Sequence, residues 1–215
     1  MDGRGRLSRA DFERMLGATL PRSGHPAFAG LSGPSRAHLL LFVHRVDDLA
    51  PGLYFFARST DAGTRLQRHA RREFAWRRVA DARGLELVCL HEGDLRGLAA
   101  GLSCEQAIAA NGAFAAGMLC EFDAALSESG ARAYPRLYWE CGALGQVLYL
   151  EAEAAGLRAT GIGCYFDDGV HTVLGLGDTS FQSLYHFTVG SAVDDPRLTT
   201  LAAYPAPDAG SGADS

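Results

Sequence analysis

The sequence predicts an α+β domain in which helices flank a central sheet. Residues 38–46 form an unbroken apolar run between turn signals, which is typical of a strand buried on both faces. Residues 134–156 have the periodicity of a long helix that ends at a glycine, and residues 184–190 are again typical of a strand. Helices that alternate with strands, with few tight hairpins between them, favour this fold class.

The first half of the chain begins with a predicted helix and continues with three predicted strands. Ser8 is a suitable N-cap and Asp11 lies where a capping box has its acidic residue, so a short amphipathic helix should follow and end before Pro21. A loop rich in Gly, Ser and Pro then covers residues 21–36. Strands are predicted at residues 38–46, 53–57 and 85–91, and a basic helix at residues 64–81.

The middle of the chain is predicted to add a helix and an element of undecided type. Asp94 can cap a helix that runs to residue 109, and the Asn-Gly pair at 111–112 marks a turn. Residues 113–122 fit a helix and a strand equally, because small residues blur the hydrophobic period.

The C-terminal part is predicted to contain a connector, a short helix, a strand and a tail. Residues 160–168 are a connector punctuated by glycine, and Asp167 or Asp168 is predicted to cap a helix that ends at residue 174. Residues 205–215 are mostly Gly, Ala, Asp and Ser, a composition typical of a disordered tail. Residues 1–204 are therefore predicted to form a single domain.

The long helix combines one apolar face with unusually small residues. Its buried face is predicted to contain Leu137, Cys141, Leu144, Leu148 and Ala152. Glycine inside a helix costs ~1 kcal/mol relative to alanine, so Gly142, Ala143 and Gly145 indicate that a neighbouring helix or a ligand approaches closely. Glu140 and Gln146 are polar on this apolar helix and are expected to be buried hydrogen-bonding partners.

Composition excludes several classes of function. The formal charge of −5 leaves no basic footprint for nucleic acid, and no apolar run is long enough to cross a membrane. The cysteines have no spacing typical of a metal site and are all expected to be free thiols of a cytoplasmic protein. These cysteines are Cys89, Cys104, Cys120, Cys141 and Cys164.

A series of motifs in the second half resembles the nitroreductase superfamily of FMN-dependent oxidoreductases. The motifs lie at residues 136–146, 152–157, 161–163, 166–168, 174–176 and 185–190. The sequences of these motifs are most similar to the SagB-type or azoline-dehydrogenase-like branch. The chain resembles the C-terminal half of a tandem protein of that kind. The resemblance implies a mixed or antiparallel sheet and a strand at residues 113–122.

The resemblance also implies a cofactor and an assembly. The family binds FMN between two subunits and transfers two electrons through flavin N5, so a homodimer or a pairing with a second nitroreductase-like domain is expected. Tyr138 and Trp139 lie on the helix that runs through the family's dimer interface. A small organic or peptide-derived substrate is expected, with NAD(P)H as a further partner. The residue types indicate no proton donor or base.

Residues 161–164 match the family's loop that passes the flavin ring. The resemblance makes Gly161, Ile162, Gly163 and Cys164 cofactor-binding candidates, with the amides of Gly163 and Cys164 as donors to N5. Glycine suits this position because it lets a backbone amide approach a flat ring.

The phosphate site departs from the family pattern. The N-terminal Arg-Arg-Ser motif and the C-terminal basic pair of the family have no counterpart in this sequence. The remaining phosphate or ribityl candidates are Arg22, Ser35, Arg36 and Arg197, and Arg197 is preferred because it closely follows the last strand. The departure leaves an alternative open, a degenerate domain that is flavin-free or sequesters flavin and acts as a binding or scaffolding subunit.

Overall fold

The structure, a computed structural model, describes residues 1–22, 24–31, 33–80, 82–199 and 201–204. Its strands are β1 (Ala37–Val43), β2 (Gly52–Phe56), β3 (Arg77–Arg78), β4 (Leu87–Glu92), β5 (Phe114–Glu121), β6 (Arg158–Ile162) and β7 (Phe181–Gly190). Its helices are α1 (Arg9–Ala18), α2 (Ala62–His69), α3 (Arg96–Leu102), α4 (Ala107–Asn111), α5 (Phe122–Ser129), α6 (Ala133–Ala154) and α7 (Asp167–Leu174).

The seven strands form one sheet in the order β3-β4-β2-β1-β5-β7-β6, and every neighbouring pair is antiparallel. The α+β prediction with a central sheet flanked by helices is confirmed. The strand predicted for residues 113–122 from the resemblance is present as β5.

Two hydrophobic cores lie on opposite faces of the sheet. In β1, Leu39, Leu41 and Val43 pack into the core under α1 and α6, whereas Leu40 and Phe42 pack into the core under α2, α3, α4 and α7. All seven residues of β1 are buried. The unbroken apolar run therefore has the cause that the sequence suggested, which is burial on both faces.

The predicted starts of α1 and α6 and the buried face of α6 are confirmed. The Ser8 hydroxyl accepts a hydrogen bond from the Asp11 amide at 3.0 Å, so Ser8 caps α1. The five apolar residues predicted for α6 are all no more than 3 % exposed. Glu140 is buried as expected, but Gln146 is exposed, so the prediction for Gln146 is wrong.

Two of the three small residues of α6, Ala143 and Gly145, serve contacts within the chain. A side chain at Gly145 would place its Cβ 3.3 Å from the ring of Tyr185 on β7, so Gly145 lets the helix approach its own sheet. Gly142 faces solvent with no atom within 4 Å of a Cβ position. The close neighbour on the Gly145 side is therefore strand β7, and not the helix or ligand that the sequence predicted.

Several predicted element boundaries are wrong. The basic helix predicted for residues 64–81 ends at His69, because Ala70 turns into the core and the Arg71 amide donates to the Leu174 carbonyl at 2.8 Å. The single helix predicted for residues 95–109 is split into α3 and α4. Cys104 and Glu105 have positive φ angles of 55° and 58° there, which is incompatible with a continuous helix.

The region after α6 also differs from its prediction. Residues 158–162 of the predicted connector pair with β7 as the edge strand β6. Phe166 lies at the N-cap of α7, so neither Asp167 nor Asp168 caps that helix. Helix α5 was not predicted from the sequence. The tail predicted for residues 205–215 lies outside the described residues.

The prediction of five free thiols is wrong. Cys104 and Cys164 form a disulfide, and the other three cysteines are free and buried. The two bonded residues are separated by 60 positions, so their meeting depends on the tertiary fold. Within the described residues, no helix has both the length and the apolar composition needed to cross a membrane.

Candidate functional site

The glycine loop (residues 161–164) begins in the edge strand β6. The Gly161 amide donates to the Tyr149 hydroxyl at 2.9 Å, and the Tyr185 hydroxyl occupies the space that a side chain at Gly161 would need. The side chain of Ile162 is 3 % exposed and packs into the core. Gly161 and Ile162 therefore make contacts within the chain, with Tyr149 and Tyr185 in the case of Gly161 and with the core in the case of Ile162.

Gly163 and Cys164 differ from these two residues because both are exposed. No atom lies within 4 Å of a Cβ position at Gly163. Among the described residues, none accepts a hydrogen bond from the amide of Gly163 or Cys164. The Cys164 carbonyl accepts from Nε2 of Gln106 at 3.1 Å, and its sulfur is in the disulfide. The loop thus presents two adjacent amide donors beside open space.

A neutral aromatic wall stands next to the glycine loop. The Tyr165 ring stacks on His186 with ring centres 4.3 Å apart, and His186 Nε2 lies 3.1 Å from the Ser183 hydroxyl. Burial lowers the pKa of His186 to about 4. Burial and, to a smaller extent, the nearby negative charge of Asp167 raise the pKa of Tyr165 to about 12. Both rings are therefore uncharged at neutral pH. Sequence reasoning missed this pair, which forms because His186 pairs with Ile162 in the sheet.

Three of the four phosphate candidates lie at a cavity between the 21–36 loop, α5 and α6. The cavity has a volume of about 620 Å³, within the range of small-molecule sites. Arg22, Ser35 and Arg36 all line it. Arg136 and Trp139 of α6 also line it and were missed as site residues, although the position of Arg136 in the first turns of a predicted helix was a usable signal.

The cavity's three arginines are not equivalent. Arg36 donates to Glu121 at 2.7 Å and also pairs with Glu128. Burial raises the pKa of Glu121, but hydrogen bonds from His38, Arg65 and Arg36 outweigh burial and bring that pKa down to about 2. Arg36 therefore faces a permanent negative charge at neutral pH. Arg22 and Arg136 make no ion pair with any residue in the described part of the chain, so they are the cavity's available cations.

A buried ion pair fixes the loop that carries Ser35 and Arg36. Nη1 of Arg58 donates to Oε1 of Glu140 at 2.5 Å, and Oε2 of Glu140 accepts from the Arg36 amide at 3.0 Å. The side chains of Arg58 and Glu140 are 0 % and 10 % exposed. Glu140, which itself lines the cavity, thus links α6 to the start of β1.

Among the described residues, the hydrogen-bond partner of Arg197 is Asp195, and Arg197 bonds to neither the glycine loop nor the cavity. Its side chain is 87 % exposed and is paired with Asp195 at 2.6 Å, and it does not line the cavity. This pairing within the segment that follows β7 makes Arg197 a weaker phosphate candidate than Arg22 or Arg136.

The structure does not unite the predicted residues into one site. The glycine loop and the cavity share no lining residue, and both border α6. The large hydrophobic side chains that α6 exposes to solvent are Tyr134, Tyr138, Trp139, Tyr149 and Leu150. Loop and cavity are therefore two separate features of one chain, and the helix that both border carries an exposed aromatic surface.

The chain belongs to the nitroreductase family. The family model matches residues 66–191, more than half of the chain, and the match includes the glycine loop, the Tyr165–His186 pair and the whole of α6. No curated protein sequence gives a significant match.

Solved structures with the same fold include three of known source. A nitroreductase-like protein from Anabaena variabilis is 21 % identical, with a TM-score of 0.66, and the match covers 87 % of this chain and 34 % of that one. The Escherichia coli microcin synthetase McbBCD complex with truncated pro-MccB17 bound contains a chain that is 18 % identical. Its TM-score is 0.61, and the match covers 89 % of this chain and 66 % of that one. The NADPH:FMN oxidoreductase of Vibrio harveyi complexed with NAD⁺ is 12 % identical, with a TM-score of 0.51 and coverage of 91 % and 65 %.

These identities are low enough that the similarities show the fold alone. The chain spans about a third of the Anabaena protein and about two thirds of the E. coli and Vibrio chains.

Proposed function

We propose that this chain is an FMN-binding oxidoreductase domain that performs two-electron transfer through flavin N5 on a small organic or peptide-derived substrate. When bound, the flavin supplies the redox chemistry. The chain's own residues supply hydrogen-bond donors, a neutral wall and a cation for the phosphate. Membership of the nitroreductase family and the likeness to the Vibrio oxidoreductase support the class of reaction.

The observation that carries the proposal is the pair of free amides at Gly163 and Cys164. A buried amide without an acceptor costs free energy, and an exposed one is available to a ligand. Gly163 leaves space for a flat ring to approach the backbone, because nothing lies within 4 Å of its missing side chain. Two fixed donors at the edge of such a ring would favour negative charge there, which is the charge that two-electron reduction adds.

The cavity residues fit the cofactor's phosphate. A phosphate monoester carries close to two negative charges, and a guanidinium can contact two of its oxygens at once. Arg22 and Arg136 are free to do so, and Ser35 offers a hydroxyl. Arg36 contributes less, because Glu121 and Glu128 already compensate its charge.

A second nitroreductase-like domain would complete the site. Within one chain the glycine loop and the cavity are separate, so the loop of one domain and the cavity of the other would together form the site. The exposed side chains of Tyr138, Trp139 and Leu150 support such a pairing, since large apolar groups are common at the centre of interfaces. A homodimer and a pairing with a different domain are both compatible with this proposal.

The branch of the family and the substrate belong to the same proposal. The likeness to a chain of the microcin synthetase complex supports the SagB-type branch and a peptide-derived substrate. The likeness to the NAD⁺-complexed Vibrio enzyme supports NAD(P)H as electron donor. The match to about a third of the Anabaena protein supports a tandem arrangement. A cytoplasmic location and a single domain over residues 1–204 stay predictions from the sequence.

A second candidate is a flavin-free domain that acts as a scaffolding subunit. It is favoured because two of the arginines predicted to bind the phosphate are already paired with carboxylates. Arg36 is paired with Glu121 and Glu128, and Arg197 is paired with Asp195.

The absorption spectrum of the purified protein separates the two candidates. The oxidoreductase is expected to show the visible bands of oxidised flavin, either as purified or after incubation with FMN and desalting. Protein that is colourless after both treatments would support the scaffolding subunit instead. Heat-released cofactor, identified by mass spectrometry, distinguishes FMN from other flavins.

A further inference from the structure

We propose that the Cys104–Cys164 disulfide is a reversible redox site that switches the glycine loop between an anchored and a released state. The proposal rests on the proposed function for its effect on FMN, but the redox site itself does not.

The disulfide differs in position from the chain's other cysteines. Cys89, Cys120 and Cys141 are all 1 % exposed or less. Cys104 is half-buried and Cys164 is exposed, so the disulfide lies at the surface. Disulfide reduction requires a thiolate to reach one of the two sulfurs, and a surface position allows that attack.

The disulfide is the covalent part of a three-contact anchor. It joins the glycine loop to the turn between α3 and α4. Nε2 of Gln106 in the same turn region donates to the Cys164 carbonyl at 3.1 Å, and the Phe166 amide donates to the Leu102 carbonyl at 2.8 Å. Reduction removes the covalent link and leaves two hydrogen bonds, which alone hold the loop less firmly.

The turn on the other side of the disulfide is conformationally demanding. Cys104 and Glu105 both have positive φ angles, of 55° and 58°, in a region that residues with side chains rarely adopt. A cross-link that reaches across to another element helps to maintain such a conformation. Without it the turn is free to relax, and the Gln106 contact to Cys164 weakens with it.

The anchored state bears directly on the two free amides. Cys164 is both the disulfide partner and one of the two donors, and Gly163 is its neighbour. A dithiol delivers two electrons and two protons to the disulfide, which gives two cysteine thiols and leaves the dithiol as a disulfide. The oxidation state of this pair therefore sets how firmly both donors are held.

Thiol counting on the full chain tests the redox site without reference to flavin. The folded protein is equilibrated in oxidised or reduced dithiothreitol, quenched with acid, denatured and alkylated. We expect three thiols after oxidation and five after reduction, interconverting reversibly with an unchanged circular dichroism spectrum. Five thiols in both states, or three that native reduction does not raise, would overturn the proposal. Cys104→Ser is the control and should show four thiols in both conditions.

Hydrogen exchange then tests the switch. Amides of residues 102–106 and 161–166 should exchange faster after reduction, and Cys104→Ser should match the reduced protein in either condition. FMN should bind the reduced protein more weakly by about threefold or more, because a loop that must be ordered on binding lowers affinity. Equal exchange in both states would refute the switch. If FMN binds in neither state, the proposed function fails, while the thiol count and the exchange rates still decide the redox site.

Discussion

Replacing Glu140 tests how strongly the buried Arg58–Glu140 ion pair holds the loop that carries Ser35 and Arg36. In Glu140→Leu, Arg58 would keep its charge with a fully buried side chain, and the Arg36 amide would lose its acceptor. Breaking one partner of a buried pair typically costs about 3–5 kcal/mol. We therefore expect the free energy of unfolding in urea to fall by that amount.

Two further variants set the scale. Glu140→Gln keeps the size of the side chain and an acceptor oxygen but loses the charge, and should cost about 1.5–3 kcal/mol. Glu128→Gln is the matched control, because the Glu128 side chain is 58 % exposed and also pairs with an arginine. Exposed pairs contribute about 0–1 kcal/mol.

A double variant separates charge burial from packing. Arg58→Met combined with Glu140→Leu should lose less stability than the sum of the two single changes, since no unpaired charge remains. If Glu140→Leu were no more destabilising than Glu128→Gln, the buried pair would contribute little, and its role in fixing Ser35 and Arg36 would have to be abandoned.

Three other changes follow from the site. In calorimetric titrations, Arg22→Ala or Arg136→Ala should weaken FMN binding about ten- to a hundredfold and leave riboflavin binding unchanged. Arg197→Ala should change the binding of neither ligand. If Arg197→Ala instead weakened FMN binding most, Arg197 would be the phosphate ligand. Leu150→Glu should shift the protein towards monomer in light scattering, and a wild-type monomer at micromolar concentration would contradict the paired assembly. The Glu121 carboxylate has a pKa of about 2 against an ordinary 4.5, so its stabilising effect is complete above pH 4.5 and is lost as pH falls towards 2. In Glu121→Gln, the free energy of unfolding should therefore depend less on pH over that range.

The sequence predicted the elements whose pattern is local. The buried run of β1, the cap at Ser8 and the apolar face of α6 depend on neighbouring residues in the chain, and all three are confirmed. Edge strand β6 was missed because its three middle residues, Ala159, Thr160 and Gly161, are small and only partly buried, so that pairing with β7 defines it.

The site was predictable only in part, because its remaining features arise from contacts between distant residues. The disulfide joins positions 60 apart, and the partners of Arg36 on α5 and β5 are invisible in a linear pattern. Arg136 became a candidate only once the cavity placed it opposite the 21–36 loop. Gly163 was predicted from the resemblance, and its open surroundings are consistent with that prediction.

The central claim is that the glycine loop receives the flavin. Its most direct test is a titration of FMN into wild type, Gly163→Val and Gly177→Val. Gly177 is a matched control, because it is also exposed with no atom within 4 Å of a Cβ position and lies outside the glycine loop. We expect wild type and Gly177→Val to bind FMN alike, and Gly163→Val to lose binding while its circular dichroism spectrum stays that of wild type. Normal FMN stoichiometry in Gly163→Val would contradict the account.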